Sequence, residues 1–135
     1  MTIEELMYYG RYYDFEYEGH HLWWFDLNSE TVHQFDELIK KFGYLSQDDI
    51  ISSGLFIPLF ETNIVNLEQE FLKLNNYNIK QFELLDYPDF DTCFKVFVEK
   101  NNLLESWRKF ENQRLYDDMM IWGKENGILN KIVKK

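Results

Sequence analysis

The apolar positions of residues 89–128 predict a helical hairpin. In its first helix the apolar side chains recur at spacings of three, four and seven residues, which places them on one face: Phe90, Cys93, Phe94, Phe97 and Val98. Asp89 or Asp91 is expected to cap this helix, and Asn102 the second one. Gly127 has the position of a left-handed residue that ends the second helix.

Charged residues interrupt the apolar face of the second helix. An α-helix turns by 100° per residue, which places its apolar side chains on one strip with others beside it. The strip consists of Leu103, Trp107, Phe110 and Ile121, and the side chains beside it are Leu104, Leu115 and Trp122. Glu111, Arg114 and Asp118 fall on the same face, at spacings where helical side chains meet. We interpret them either as an ion-pair network, whose stems cover apolar surface, or as a polar pocket that includes Glu68.

Alternating side chains over residues 17–36 predict a β-hairpin. Its strands and turn are expected at residues 20–26, 31–35 and 27–30. Leu22 and Trp24 would share one face of the first strand, and Trp23 and Phe25 the other. Because both faces are apolar, the sheet is either covered on both sides or exposes an aromatic patch.

The N-terminus carries a helix-start signal, because Thr2 and Glu5 have the spacing of a capping box. The predicted helix places one set of side chains on its inner face: Ile3, Leu6, Met7, Gly10 and Tyr13. Tyr8 and Tyr12 would then lie on the opposite face, toward solvent or a partner.

Shorter signals predict the elements that follow the hairpin. A helix is expected over residues 36–42, ending at Gly43, and Ser46 is expected to cap the next helix. A strand follows over residues 56–60. A further helix is expected from its cap at Asn63 to Leu74, with Glu68 in its apolar stripe, and helical turns over residues 79–85. Pro58 cannot donate a ladder hydrogen bond, so the strand is expected at a sheet edge.

Together these elements predict an α+β fold. It comprises an N-terminal helix, a small antiparallel hairpin or sheet with a short edge strand, and a mostly helical C-terminal half that ends in a helical hairpin. With no linker or repeat, the 135 residues are expected to form a single domain, 1–135, with a frayed basic tail at 130–135.

Charge is distributed unevenly along the chain. The net charge is −10, and residues 1–70 hold 14 acidic and 3 basic side chains. Such an acidic half repels nucleic acids and anionic membrane surfaces. It would attract a basic protein and speed their encounter. Aromatic residues are also frequent, at 19%, and nine of them lie within the first 26 residues.

Signatures of catalysis and of metal binding are missing from the sequence. The single Cys93 lies within an apolar stripe and is expected in the core; a lone cysteine also fits a reducing cytoplasm. His20, His21 and His33 lie in or near one hairpin. A metal site with His33 and a carboxylate such as Asp26 is conceivable, but these histidines are more simply explained as strand-surface residues. No serine lies in a recognisable nucleophile elbow. We therefore expect no catalytic, cofactor-binding or metal-binding residue.

The order of these landmarks resembles a known family. The residues of this chain that carry the resemblance are Phe25-Asp26-Leu27-Asn28-Ser29-Glu30-Thr31-Val32, Phe56-Ile57-Pro58-Leu59, Phe71-Leu72, Phe94-Lys95-Val96-Phe97, Leu104-Glu105-Ser106-Trp107-Arg108-Lys109-Phe110 and Trp122 through Glu125-Asn126-Gly127-Ile128. Over about residues 2–128 the chain resembles the bacterial uncharacterised protein family one-five-eight, whose members are small and cytoplasmic. The resemblance implies an α+β fold with a C-terminal helical hairpin and transfers no catalytic residue.

The hairpin turn departs from the pattern of that family. The family reads Asp-x-Glu-Thr-Gly-Glu-Val, whereas here Ser29-Glu30 stands in place of Thr-Gly. A non-glycine residue at positive φ costs on the order of 1 kcal/mol. A different turn type or loop register is therefore expected.

Three functional hypotheses follow from the sequence. The first is a non-enzymatic interaction protein, for example immunity or antitoxin-like, that binds a basic partner through aromatic and acidic side chains: Tyr8, Tyr12, Glu16, Glu18 and Trp24. The second is a small enzyme or ligand-binding domain with a polar pocket: Glu68, Glu111, Arg114 and Asp118. The third is homo-oligomerisation through the hairpin at Trp23 and Trp24, which would cover an exposed apolar face.

Overall fold

Two units make up the described residues of the computed structural model, which are 1–13, 20–77 and 89–133. The first unit comprises residues 1–62 and 115–135, and the second comprises 63–114. Helices and a small antiparallel sheet confirm the predicted α+β class and the mostly helical C-terminal half. The expected start of the hairpin at 17–19, the helical turns at 79–85 and the last two residues of the tail lie outside the described residues.

The described helices and strands are short except for one helix. The helices are Ile3–Tyr9 (α1), Phe35–Lys40 (α2), Gln47–Ser53 (α3), Ile64–Leu74 (α4), Phe90–Lys100 (α5), Leu104–Glu125 (α6) and Leu129–Val133 (α7). The strands are Arg11–Tyr12 (β1), Trp23–Asp26 (β2), Val32–Gln34 (β3), Phe56–Pro58 (β4) and Thr62–Asn63 (β5).

The central strand of the first unit is β2, which pairs with β3 on one side and with β4 on the other, both antiparallel. Trp24 lies opposite His33 in one pairing and opposite Pro58 in the other. The predicted edge position of the proline strand is thus confirmed. Although Pro58 donates no amide, its carbonyl accepts a hydrogen bond of 2.9 Å from the Trp122 indole.

Both faces of β2 are buried. Trp24 packs on one face with Leu38, Ile50 and Phe56. Phe25 packs on the other face in a larger cluster: Leu6, Leu59, Phe60, Leu115, Met119, Trp122, Ile128 and Ile132. The chain itself therefore covers both apolar faces, as one of the two sequence interpretations requires.

The full burial of Trp24 corrects one expectation. Its side chain is 0% exposed, and its indole donates a hydrogen bond of 2.9 Å to the His21 carbonyl. Trp24 is therefore not part of a partner surface in this structure. The covered hairpin also removes the reason for which homo-oligomerisation was expected, while Trp23 is only half-buried.

The N-terminal helix begins as predicted and ends earlier than predicted. The Thr2 hydroxyl accepts a hydrogen bond of 3.1 Å from the Glu5 amide, which confirms the cap. The helix ends at Gly10, where an added Cβ would lie 2.2 Å from the Phe60 ring. Tyr12 lies in β1 and not on the helix, so its predicted helical position is wrong.

Two further helices of the first unit start close to their sequence signals. Phe35–Lys40 ends two residues earlier than predicted, with Lys41 as its C-cap, although Gly43 is left-handed with a φ of 80°. The Ser46 hydroxyl caps Gln47–Ser53 by accepting from the Asp49 amide at 3.2 Å. Both helices supply side chains to the face of the sheet that carries Trp24.

The second unit is built from α4, α5 and the first part of α6. Asn63 caps α4 and Asp89 caps α5, each by accepting an amide hydrogen bond. The aromatic rings of Phe71, Phe94 and Trp107 contact one another, with centroid distances of 4.7 to 6.1 Å. The predicted apolar faces of α4 and α5 are therefore largely buried, but Phe90 and Phe97 are only half-buried and Leu74 is 64% exposed.

Three helices end in the same arrangement, which corrects the role expected of Asn102. After α4, α5 and α6 the left-handed residues are Asn76, Asn102 and Gly127, with φ of 63°, 57° and 68°. Each is flanked by the paired amide-to-carbonyl bonds of a Schellman motif; after α5 these run from Asn102 to Glu99 and from Leu103 to Val98. Asn102 therefore ends α5, and α6 begins at Leu104.

The tail is ordered through α7, contrary to expectation. Ile132 is 2% exposed and belongs to the large core cluster. The Lys131 ammonium donates a hydrogen bond of 2.6 Å to the Leu27 carbonyl. Residues 130–133 are therefore part of the fold and not a frayed end.

The hairpin turn places Glu30 in the left-handed region, with a φ of 56°. The Glu30 amide donates to the Asp26 carbonyl at 2.9 Å, and the Asp26 amide donates to the Thr31 carbonyl at 2.8 Å. This turn position thus takes a positive φ although the residue is not a glycine. A glycine here would remove the backbone strain that a Cβ causes at positive φ.

We expect Glu30→Gly to be more stable than Glu30→Ala by about 1 kcal/mol, because both variants lose the same side chain and only alanine keeps a Cβ at positive φ. Urea unfolding followed by tryptophan fluorescence measures the difference. Equal midpoints for the two variants would contradict the left-handed assignment of this residue.

Candidate functional site

An aromatic groove lies on the first unit, with a volume of about 520 Å³. Its described lining consists of Tyr8, Tyr9, Arg11, Tyr13, His20, Leu22 and Trp23; a deeper part is also lined by Tyr12, Leu59, Phe60 and Glu61. This volume is within the range of small-molecule pockets. We call these residues the aromatic groove.

The groove forms where the end of α1 meets the start of β2. The rings of Tyr9 and Trp23 lie 4.5 Å apart between centroids, and Tyr8 contacts Tyr9 edge-on at 5.4 Å. Tyr9 and Trp23 also pack against the large core cluster, which fixes their position. Tyr8 is 70% exposed, so the groove presents a rigid aromatic wall with an accessible tyrosine at its rim.

An acidic side chain lies beside a histidine at the deeper part of the groove. Glu61 contacts His21 with 3.1 Å between Oε1 and Nδ1. The hydrogen bond with Glu61 raises the pKa of His21, although partial burial opposes the rise. The His21 amide donates to Gln47 at 2.9 Å, so the backbone that positions this pair is anchored to α3.

The structure brings only some of the predicted partner-binding residues together. Tyr8 and Tyr12 both line the aromatic groove, whereas Trp24 is buried. Glu16 and Glu18 lie outside the described residues. The sequence did not point to Tyr9, and it pointed to Trp23 only as part of a homo-oligomer surface. Their membership in the dense N-terminal aromatic run was the signal that could have placed both in a binding site.

The residues of the predicted polar pocket are divided between the two units. In the second unit, the Arg114 guanidinium forms a two-pronged ion pair with Glu70, at 2.6 and 3.1 Å, and lies 5.7 Å from the Phe110 ring centroid. In the first unit, Asp118 accepts a hydrogen bond of 2.7 Å from the buried Thr62 hydroxyl. The pairing partner of Arg114 is thus a residue that the sequence did not point to.

Glu68 and Glu111 are buried in the second unit, at 0% and 6% exposure. Neither carboxyl oxygen of Glu68 has a hydrogen-bond partner among the described residues. Burial, the neighbouring Asp91 side chain and the charge of Glu111 raise the pKa of Glu68 to about 10, while Lys95 opposes the rise. Lys95 itself pairs with Asp91 at 2.9 Å. Glu68 is therefore a neutral acid at physiological pH.

Cys93 and the hairpin histidines are the other positions that the sequence singled out for chemistry. Cys93 is 4% exposed and lies in the core of the second unit. Among residues 1–13, 20–77 and 89–133, no group of three or more histidine, cysteine or acidic side chains is arranged to hold a metal ion. The described helices include none that is long and apolar enough to cross a membrane.

Comparison with family models, curated proteins and solved structures gives no match to this chain. The resemblance to the uncharacterised family one-five-eight therefore stays a prediction.

We expect the free energy of unfolding to depend on the titration of Glu68. Its pKa is raised from 4.5 to about 10 in the folded state, so unfolding releases its proton between these two values and stability falls as pH rises through this window. Glu68→Gln should remove this dependence. Its stability relative to the native chain should therefore increase from pH 5 to pH 9, by at most about 1.4 kcal/mol per pH unit.

Urea unfolding at several pH values measures this difference. Glu99→Gln serves as the matched control, because Glu99 is an exposed glutamate of the same unit. A stability difference between Glu68→Gln and the native chain that does not change with pH would contradict a neutral Glu68.

Proposed function

We propose that the protein is an interaction module that binds a basic protein through the aromatic groove. An immunity or antitoxin-like role, in which the chain neutralises a basic toxin in a bacterial cytoplasm, is the concrete form of this proposal. The observation that carries it is the exposed Tyr8 beside the packed rings of Tyr9 and Trp23.

The groove has the side chains that most often anchor protein interfaces. Tyrosine and tryptophan supply large contact areas and dominate the binding energy of many complexes. Tyr9 and Trp23 are held by the core, so they lose little conformational freedom when a partner binds. Tyr8 is the ring that a partner can enclose, because it is the most exposed aromatic side chain of the groove.

Acidic side chains around the first unit supply the attraction for a basic partner. Exposed examples are Glu4, Glu5, Asp36, Asp48 and Glu61. Arg11 and His20 also line the groove, so the attraction comes from the surrounding surface and not from the groove itself. Such a surface raises the association rate with a basic protein and makes it depend on ionic strength.

A second candidate function is a small enzyme or ligand-binding domain centred on the second unit. The observation that favours it is Glu68, because fully buried acids with strongly raised pKa values occur often at functional sites. Glu111 is the neighbouring acid that such a site would share. The bidentate pair between Arg114 and Glu70 speaks against Arg114 as a ligand-binding group, since its guanidinium already has a carboxylate partner.

We expect Tyr8→Ala to weaken capture of the basic partner by tenfold or more, because truncation of an aromatic side chain that a partner encloses commonly costs about 2 kcal/mol. The measurement is affinity capture from native bacterial lysate at low ionic strength, followed by titration with the purified captured protein. High salt should release that protein.

Tyr116→Ala is the matched control, since Tyr116 is an exposed tyrosine of the same unit, on α6 and outside the groove. It should bind like the native chain. Failure to capture any basic protein at low salt, or equal losses for both tyrosine variants, would contradict the proposal. A loss only in Glu68→Gln would favour the second candidate function.

A further inference from the structure

A series of side chains within hydrogen-bonding distance of one another runs from the β-hairpin turn to α2. The Ser29 and Thr31 hydroxyl oxygens lie 2.6 Å apart. Thr31 Oγ1 lies 3.1 Å from His33 Nε2, and His33 Nδ1 lies 3.1 Å from Glu37 Oε1. Hydroxyl, imidazole and carboxylate therefore stand in the order found in hydrolase triads, which are recognised by geometry and not by sequence order.

The fold dictates this juxtaposition. Thr31 directly precedes β3 and His33 lies in it, two residues further on, so the extended chain turns both side chains to one face. Glu37 lies in the first turn of α2, four residues after His33. The imidazole ring is held edge-on against Phe42 and Phe56, at centroid distances of 5.5 and 5.9 Å. It is a positioned group rather than a mobile surface side chain.

The neighbours of the ring determine its tautomer. An ionised Glu37 only accepts hydrogen bonds, so Nδ1 of a neutral His33 must carry the proton. Nε2 then accepts, and the Thr31 hydroxyl is its donor. This is the tautomer that a general base needs to take a proton from a hydroxyl nucleophile.

Asp26 adds a negative charge beside this nitrogen. Its Oδ2 lies 3.8 Å from Nε2. Burial alone would raise the pKa of Asp26, but hydrogen bonds from Ser29 and Asn28 lower it on balance. A carboxylate therefore stands beside the nitrogen that would take up the proton.

We propose that Thr31 is a nucleophile that accepts acyl groups from small esters, with His33 as its general base and Glu37 as a positioning residue. Thr31 Oγ1 bonds to the acyl carbon while its proton moves to His33 Nε2. Collapse of the adduct breaks the bond to the leaving alcohol, which takes that proton. Water then attacks the acyl-threonine by the same route, releasing a carboxylic acid and restoring the hydroxyl.

The surrounding groups define the class of ester and the rate. Asp26, Glu30 and Glu37 make this surface negative, so neutral or cationic esters fit and anionic ones are repelled. The amides of Asn28, Ser29 and Glu30 all donate to Asp26, so these three do not stabilise an oxyanion. General-base assistance of about 10²- to 10⁴-fold is therefore the expected contribution, and deacylation is slow.

The probe is p-nitrophenyl acetate, mixed with the full chain in substoichiometric amount. We expect an acetyl group on Thr31, located by peptide mass spectrometry. Thr31→Val should lower the rate of p-nitrophenolate release on the order of 10²-fold, and Thr31→Ser should restore acetylation at residue 31. Thr31 is exposed, so both variants are expected to fold, and thermal unfolding checks this.

A second measurement tests Glu37 without relying on the rate. Glu37→Gln offers an amide that can donate to Nδ1, so nitrogen NMR of the His33 ring should show a shift toward the Nε2-protonated tautomer, together with slower acetylation of Thr31. Acetyl groups found only on lysine, tyrosine or the N-terminus, or an unchanged rate in Thr31→Val, would overturn the proposal. So would an unchanged His33 tautomer in Glu37→Gln.

Discussion

The burial of both faces of one strand is the constraint on which the first unit depends. Trp24 and Phe25 are adjacent, so a period of two sends them to opposite faces of β2, and each is almost fully buried. Covering both faces requires α2 and α3 on one side, and α1, the second half of α6 and α7 on the other. The same strand begins with Trp23, whose ring forms the aromatic groove with Tyr9. The candidate surface thus follows directly from the way the core is covered.

The second unit illustrates a different constraint, which is the placement of acids inside a helical core. Glu68 lies where the stripe of α4 requires an apolar residue, and its carboxyl is buried without a hydrogen-bond partner among the described residues. A charged carboxylate would be far more costly there than a neutral one, so the side chain keeps its proton. The unit therefore tolerates the acid by a shift in pKa and not by an ion pair, in contrast to Arg114 and Glu70 on its surface.

Local signals of the sequence predicted much of the fold, because caps and strand alternation depend on neighbouring residues. Thr2, Ser46, Asn63 and Asp89 all cap helices as their side chains suggest. Asn102 was assigned to the wrong helix because asparagine suits both an N-cap and a left-handed end. Contacts over long sequence distances, such as those that bury Trp24 and bring Tyr9 beside Trp23, have no local signature. For the same reason the pairing of Arg114 with Glu70 could not be predicted. The alignment of Thr31, His33 and Glu37 is local in sequence, but it depends on the change from strand to helix at residue 35.

We propose the aromatic groove as the working surface of the chain. Amide hydrogen exchange of the chain, with and without its captured basic partner, shows which unit the partner covers. We expect protection on binding to be concentrated at residues 3–13 and 20–25, which supply most of the groove. Protection confined to residues 63–114 would contradict it and would move the function to the unit that contains Glu68.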